Sequence, residues 1–174
     1  MQKFVLALVT AFVAADEPNP PQWDTRYVKI NPSQSAIDAV WHENGGVNNG
    51  NHGQWSEHRY ALMFTSGHHK VNVNVGFYTQ VVGLGRTPTD TTLANFWSPN
   101  NSGTALCNFW RGVENVGLGN ESWAGNTLWA VSQAAPMRRV HVNGSLDLSS
   151  KGGWSSGGYM ADTVVTGKIN AGTQ

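Results

Sequence analysis

The second half of the chain repeats itself at a shift of 24 residues, and that period restricts the fold more than any other feature. Residues Cys107–Gly119, Val131–Asn143 and Ser155–Gly167 align as three copies. In that alignment Val116, Val140 and Val164 form one apolar column, Val113, Met137 and Ala161 a second, and Leu118, Val142 and Thr166 a third. Columns of like character at a short fixed period belong to solenoids, where each coil buries its apolar face only against its neighbours. An earlier copy, Val81–Gly85, matches Asn115–Gly119 at a spacing of 34, one coil plus an insertion.

Within a coil, the columns at 113 and 116 stand an odd number of residues apart. Both point inward only if the strand bends between them. The bends fall at Glu114-Asn115, Arg138-Arg139 and Asp162-Thr163. Short strands joined by a sharp polar turn give an all-β chain with the shape of a right-handed parallel β-helix. The alternative, an antiparallel β-sandwich, also has many short strands and Gly-rich turns, but nothing in it repeats at this period.

Upstream of the repeats, Tyr60–Phe64, the alternating Val71, Val73, Val75 and Phe77, and Gln80–Leu84 read as strands. They follow one another too closely for crossover helices. Residues 16–57 are polar and irregular, with Pro18, Pro20, Pro21 and Pro32 and an Asn/Gly-rich stretch at 44–53. One short helix is expected at Pro32–His42, where Ile37, Val40 and Trp41 share a face behind a cap at Ser33 or Ser35. It serves as a lid or end piece. The domain plan is a leader at 1–15, an irregular segment at 16–57 and coils over 58–174.

The leader has a positive start at Lys3, an apolar run from Phe4 to Ala14 and small residues Val13-Ala14-Ala15, the form of a secretory signal cleaved after Ala15. The run is too short to span a bilayer, and no second stretch approaches the roughly 20 apolar residues that spanning needs. A secreted, extracellular product is expected, with no membrane partner. Lys+Arg and Asp+Glu number 11 each, so the chain is close to neutral and lacks the basic stripe that nucleic-acid binding requires. Cys107 is the single cysteine, which excludes an internal disulfide and reads as a buried, inert thiol. In a secreted protein the sequons at Asn100, Asn120 and Asn143 are candidate glycosylation sites.

Five blocks carry a family resemblance: Arg59–Phe64, Val75–Gly85, Ala105–Trp110, Trp129–Val140 and Ser156–Asp162. Over residues 58–174 the chain resembles secreted proteins that look like the pectate-lyase superfamily of β-helices, whose members often carry an adenylyl cyclase or coagulation factor 5/8 type label. The resemblance implies an extracellular polysaccharide as substrate and, if the protein is an enzyme, glycoside hydrolase or polysaccharide lyase chemistry. Its members continue through further coils, so it also implies that this is the amino-terminal part of a longer protein or the product of a truncated gene. The cyclase label has no support in the residues, which include no Gly-rich phosphate loop and no paired metal-binding aspartates.

Cleavage of a polysaccharide calls for paired carboxylates at a set separation. Glu114, Arg138 and Asp162 fall in one column. The two acids would stand about 9.6 Å apart at the spacing of neighbouring strands. An arginine between them holds both ionised, which leaves neither as a proton donor and makes the trio a surface charge ladder. Arg138 and Arg139 are candidates for binding an acidic sugar. The exposed aromatic candidates are Trp97, Trp123 and Trp154, in or beside Gly/Asn/Ser-rich loops, with Trp129 considered alongside them; Trp110 and Trp129 lie in strand runs and are expected in the core or in packing between coils. The histidines, including the adjacent His68 and His69 expected in a turn, lack zinc-site spacing, and no cofactor is expected. No catalytic residue is assigned. The two readings are a carbohydrate-active β-helix that binds a polysaccharide, with or without cleaving it, and a non-catalytic binding or adhesion module.

Overall fold

The computed structural model describes residues 24–45, 53–98, 107–118, 126–149, 155 and 158–171. In chain order the elements are β1 (Val28–Ile30), α1 (Gln34–Asn44), β2 (Tyr60–Phe64), β3 (Gly67–Asn74), β4 (Thr79–Gly83), β5 (Thr91–Trp97), β6 (Arg111–Glu114) and β7 (Gly117–Leu118). They continue with β8 (Asn126–Leu128), β9 (Pro136–Arg138), β10 (His141–Val142), β11 (Ser145–Asp147), β12 (Tyr159–Ala161), β13 (Val164–Val165) and β14 (Ile169–Asn170). They form three sheets, ordered β1-β2-β4-β6-β9-β12, β13-β10-β7-β5-β3 and β14-β11-β8. Every pairing among the described residues is parallel, which settles the fold as a parallel β-helix and excludes the sandwich.

Stacked apolar columns fill the interior. Leu62, Val81, Val113 and Met137 pair rung on rung across β2, β4, β6 and β9, and each is at most 1% exposed. Leu93 pairs with Leu118 on the second sheet, where Val142 is also buried. The bends expected between the first two sheets are present as single left-handed residues: Asn115 at φ 54°, Arg139 at φ 51° and Asp162 at φ 50°. Asn and Asp tolerate this conformation through local hydrogen bonds. Asn115 uses its Nδ2 to donate to Gly83 O at 2.8 Å and Gly85 O at 2.7 Å.

The registers correct the repeat arithmetic. Val113 pairs with Met137 at a shift of 24, but Met137 pairs with Met160 and Val142 with Val165, a shift of 23. Ala161, Val164 and Thr166 are therefore not the column residues. Adjacent apolar pairs, Met160-Ala161 and Val164-Val165, accept either register in sequence. Upstream, Val81 pairs with Val113, a spacing of 32 instead of 34. A slip of two keeps every side chain on its own face, so polarity alone does not detect it.

The segment read as irregular contributes β1, which adds to the edge of the first sheet. The helix runs Gln34–Asn44, two residues later than expected, and Ser33 caps it by accepting from Ala36 N. Ile37 and Val40 join the core. Gln34 braces edge strand β3 by donating to Asn72 O at 2.9 Å and accepting from Asn72 N at 2.8 Å, satisfying backbone groups that an edge leaves open. His68 and His69 begin β3 instead of forming a turn. Cys107 is half-buried.

Candidate active groove

The outer face of the first sheet carries a groove of about 740 Å³ at the start of β2, β4 and β6. The pleat lays its floor. Because Leu62, Val81 and Val113 point inward, Ala61, Gln80 and Gly112 form the outward row, partnered across three strands. The Gln80 amide lies on the bare backbone of Gly112, where a β-carbon would collide with its Oε1.

The wall is aromatic, and the turn geometry sets it there. Immediately before β4 and β6, Tyr78 and Trp110 adopt left-handed backbone at φ 52° and 53°, and Ala134 continues the column at φ 48°. That conformation is rare for bulky residues and persists only where its surroundings fix it. Rungs of backbone hydrogen bonds do so: Tyr60 N donates to Tyr78 O at 2.8 Å, Tyr78 N to Trp110 O at 2.6 Å, and Trp110 N to Gln133 O at 3.2 Å. The Tyr78 and Trp110 rings stack at 5.4 Å and 23°, with Trp110 left 46% exposed. The Arg59 guanidinium lies 3.6 Å over Tyr78. Among the described residues, no carboxylate lines the groove.

Two polar arrangements support the groove. At one end the Tyr60 hydroxyl donates to Glu43 Oε2 at 2.5 Å, and His58 pairs with the other carboxylate oxygen. Burial, and then Tyr27, hold the Tyr60 hydroxyl above its ordinary pKa. Beneath the aromatic wall, Arg111 points into the core and is fully buried. Its Nη1 donates to Val75 O at 2.7 Å and Ser98 Oγ at 3.2 Å, its Nε to Phe109 O at 3.3 Å, and the guanidinium faces Phe77 at 4.5 Å. Desolvation pulls it down to about 9, so it stays charged at neutral pH. Among the described residues no carboxylate pairs with it.

The residues singled out from sequence do not converge on this groove. Trp97 is half-buried in β5, on the second sheet, and Trp129 is buried. Trp123, Trp154, Asn100 and Asn120 lie outside the described residues, while Asn143 is exposed in the turn after β10. Arg138 bridges Glu114 at 3.7 Å and Asp162 at 3.9 Å, the charge ladder expected. The register is again corrected, since Arg138 pairs with Ala161, and Asp162 follows it at the bend. Arg139 donates to Arg86 O at 3.2 Å at the corner. Trp110, expected in the core or in packing between coils, takes the second place: the left-handed turn before β6 puts its ring outside the core, stacked on Tyr78 of the neighbouring coil. Among the described residues no cluster of three His, Cys, Asp or Glu could hold a metal, and no helix is long and apolar enough to cross a membrane.

Fold and site together define the class: a parallel β-helix with an aromatic groove on its outer face. Within that class the chain is similar to an exo-β-1,3-glucanase of Streptomyces sp. (strain SirexAA-E / ActE), at 46% identity over 121 residues. The match takes in 67% of this chain and 20% of the relative, so the chain spans about a fifth of that protein. The solved structure of sacteLam55A from Streptomyces sp. SirexAA-E superimposes with a TM-score of 0.72 at 40% identity, over 82% of this chain and 26% of that one. A variant of sacteLam55A in complex with glucose gives 0.69 at 39% identity, with the same coverage. No family model matches the chain.

Proposed function

We propose that this chain is the sugar-binding face of a secreted, β-1,3-glucan-active β-helix protein of the pectate-lyase-like kind, and that it holds the glucan in the Tyr78–Trp110 groove. The observation that carries this reading is the stacked, half-exposed aromatic pair set on left-handed turns beside the Gln80 amide. An aromatic face accepts the C–H face of a pyranose, and a few convergent polar groups orient it, which here are Gln80 and Arg59. Similarity to the Streptomyces glucanase supplies the linkage, and the leader at 1–15 supports export.

Within this chain the role is binding instead of cleavage. Among the described residues that line the groove there is no carboxylate, and Glu114 and Asp162 are tied to Arg138 instead of standing free as an acid–base pair. Titration with a soluble β-1,3-gluco-oligosaccharide, followed by tryptophan fluorescence, tests the reading. Trp110→Ala is expected to weaken binding at least tenfold, about 1.4 kcal/mol. Unchanged affinity in that variant would remove the groove as the site.

A further inference from the structure

Trp55 is 70% exposed, the highest value among the large apolar residues described. Exposed apolar residues elsewhere are mostly in the last described coil, at Tyr159, Met160, Val164 and Ile169. Trp55 instead stands on the turn Gly53–Ser56, and both of its backbone neighbours are bound by the groove. The Tyr78 hydroxyl donates to Gln54 O at 2.6 Å, and the Arg59 guanidinium to Ser56 O at 2.7 Å. These are the same tyrosine and arginine that build the aromatic wall.

The turn is also closed on itself and fixed to the helix. Ser56 N donates to Gly53 O at 3.0 Å, and Gly53 N to Glu43 O at 3.0 Å near the end of α1. Gly53 takes φ 81°, where a side chain would be strained. An indole carried on so constrained a backbone loses little freedom when it binds, and a tryptophan ring this exposed is suited to stacking.

We propose that Trp55 is a second, distal sugar subsite, which takes a glucosyl unit further along the same β-1,3-glucan chain that occupies the Tyr78–Trp110 groove. This rests on the groove reading above, and it adds that the site recognises an extended oligosaccharide over a short one. The hydrogen bonds from Tyr78 and Arg59 set the turn against the groove, so occupation of one subsite leaves the other in place.

Chain-length dependence tests it. Using the full chain, affinities for two-unit and six-unit β-1,3-gluco-oligosaccharides are measured for wild type, Trp55→Ala, Trp55→Phe and Trp110→Ala. Trp55→Ala is expected to bind the two-unit sugar within twofold of wild type and the six-unit sugar at least tenfold more weakly, with Trp55→Phe recovering part of the loss. Near-ultraviolet circular dichroism of the Tyr78–Trp110 pair is expected to be unchanged in Trp55→Ala. Equal losses for both lengths with a changed dichroism signal would make Trp55 a mere support for Tyr78 and overturn the proposal, as would six-unit affinity within twofold of wild type. If Trp110→Ala binds normally while Trp55→Ala loses the long sugar, the groove reading fails and with it the distal subsite, leaving Trp55 as a sugar contact apart from the groove; if Trp110→Ala loses both sugars while Trp55→Ala binds both normally, the groove reading stands and the distal subsite alone is overturned. Binding of neither length by wild type overturns both.

Discussion

Arg111 gives a prediction that separates charge from shape. Burial pulls its pKa well below the ordinary arginine range, to about 9, which corresponds to a desolvation cost on the order of 5 kcal/mol for the charged form. Opposing this are three hydrogen bonds, to Val75 O, Ser98 Oγ and Phe109 O, and the Phe77 face. Charge-assisted bonds contribute roughly 1.5–3 kcal/mol each, and two of these are long, so the two sides nearly cancel. Arg111→Met removes both sides at similar volume and is expected to change unfolding stability by no more than about 2 kcal/mol. Arg111→Lys keeps a buried charge and loses the planar fork, and is expected to destabilise by about 3–5 kcal/mol. Urea unfolding at pH 7 followed by tryptophan fluorescence measures both. A lysine variant as stable as wild type, or a methionine variant less stable than the lysine one, would refute the reasoning. The Met variant is further expected to lose near-ultraviolet dichroism, because the fork ties the carbonyls leading into Tyr78 and Trp110.

Two more expectations follow from the groove. Gly112→Ala should displace the Gln80 amide, a flexible side-chain end, and so weaken glucan binding at least threefold while stability moves by less than about 1 kcal/mol; titration and urea unfolding of the same sample check it, and unaltered binding would show Gln80 to be a bystander. The Tyr60 hydroxyl titrates above its ordinary value in the fold, so the unfolded chain ionises first and stability is lost as pH rises past about 10. Tyr60→Phe should flatten that alkaline decline between pH 9 and 11, and an unchanged slope would assign it to other groups.

The β-helix was legible because stacking forces each coil to repeat its apolar columns: Val113, Met137 and the bends at Asn115, Arg139 and Asp162 were in place in the sequence. The spacings of 23 and 32 were not, because Met160-Ala161 and Val164-Val165 are apolar at either register and a two-residue slip preserves facing. Strand β1 escaped notice as three residues in a polar, proline-rich stretch. The groove escaped for a conformational reason. Tyr78 and Trp110 sit in β-prone runs that suit a ring in the core as well as one packed between coils, and only the positive φ before each strand turns the ring out. Glycine and asparagine advertise that conformation in a sequence, whereas aromatic residues do not. The available signal was their alignment with each other at the true spacing, one residue ahead of paired strands β4 and β6.

The central claim is that the Tyr78–Trp110 groove holds the glucan. The most direct measurement is a crystal structure of the full chain with a six-unit β-1,3-gluco-oligosaccharide. A glucosyl ring is expected to lie on the Trp110 indole, with a hydroxyl on the Gln80 amide and the chain running toward Trp55. A saturating ligand seated instead on the Trp97 sheet face or beside Arg138 and Arg139, with the groove left to water, would contradict it.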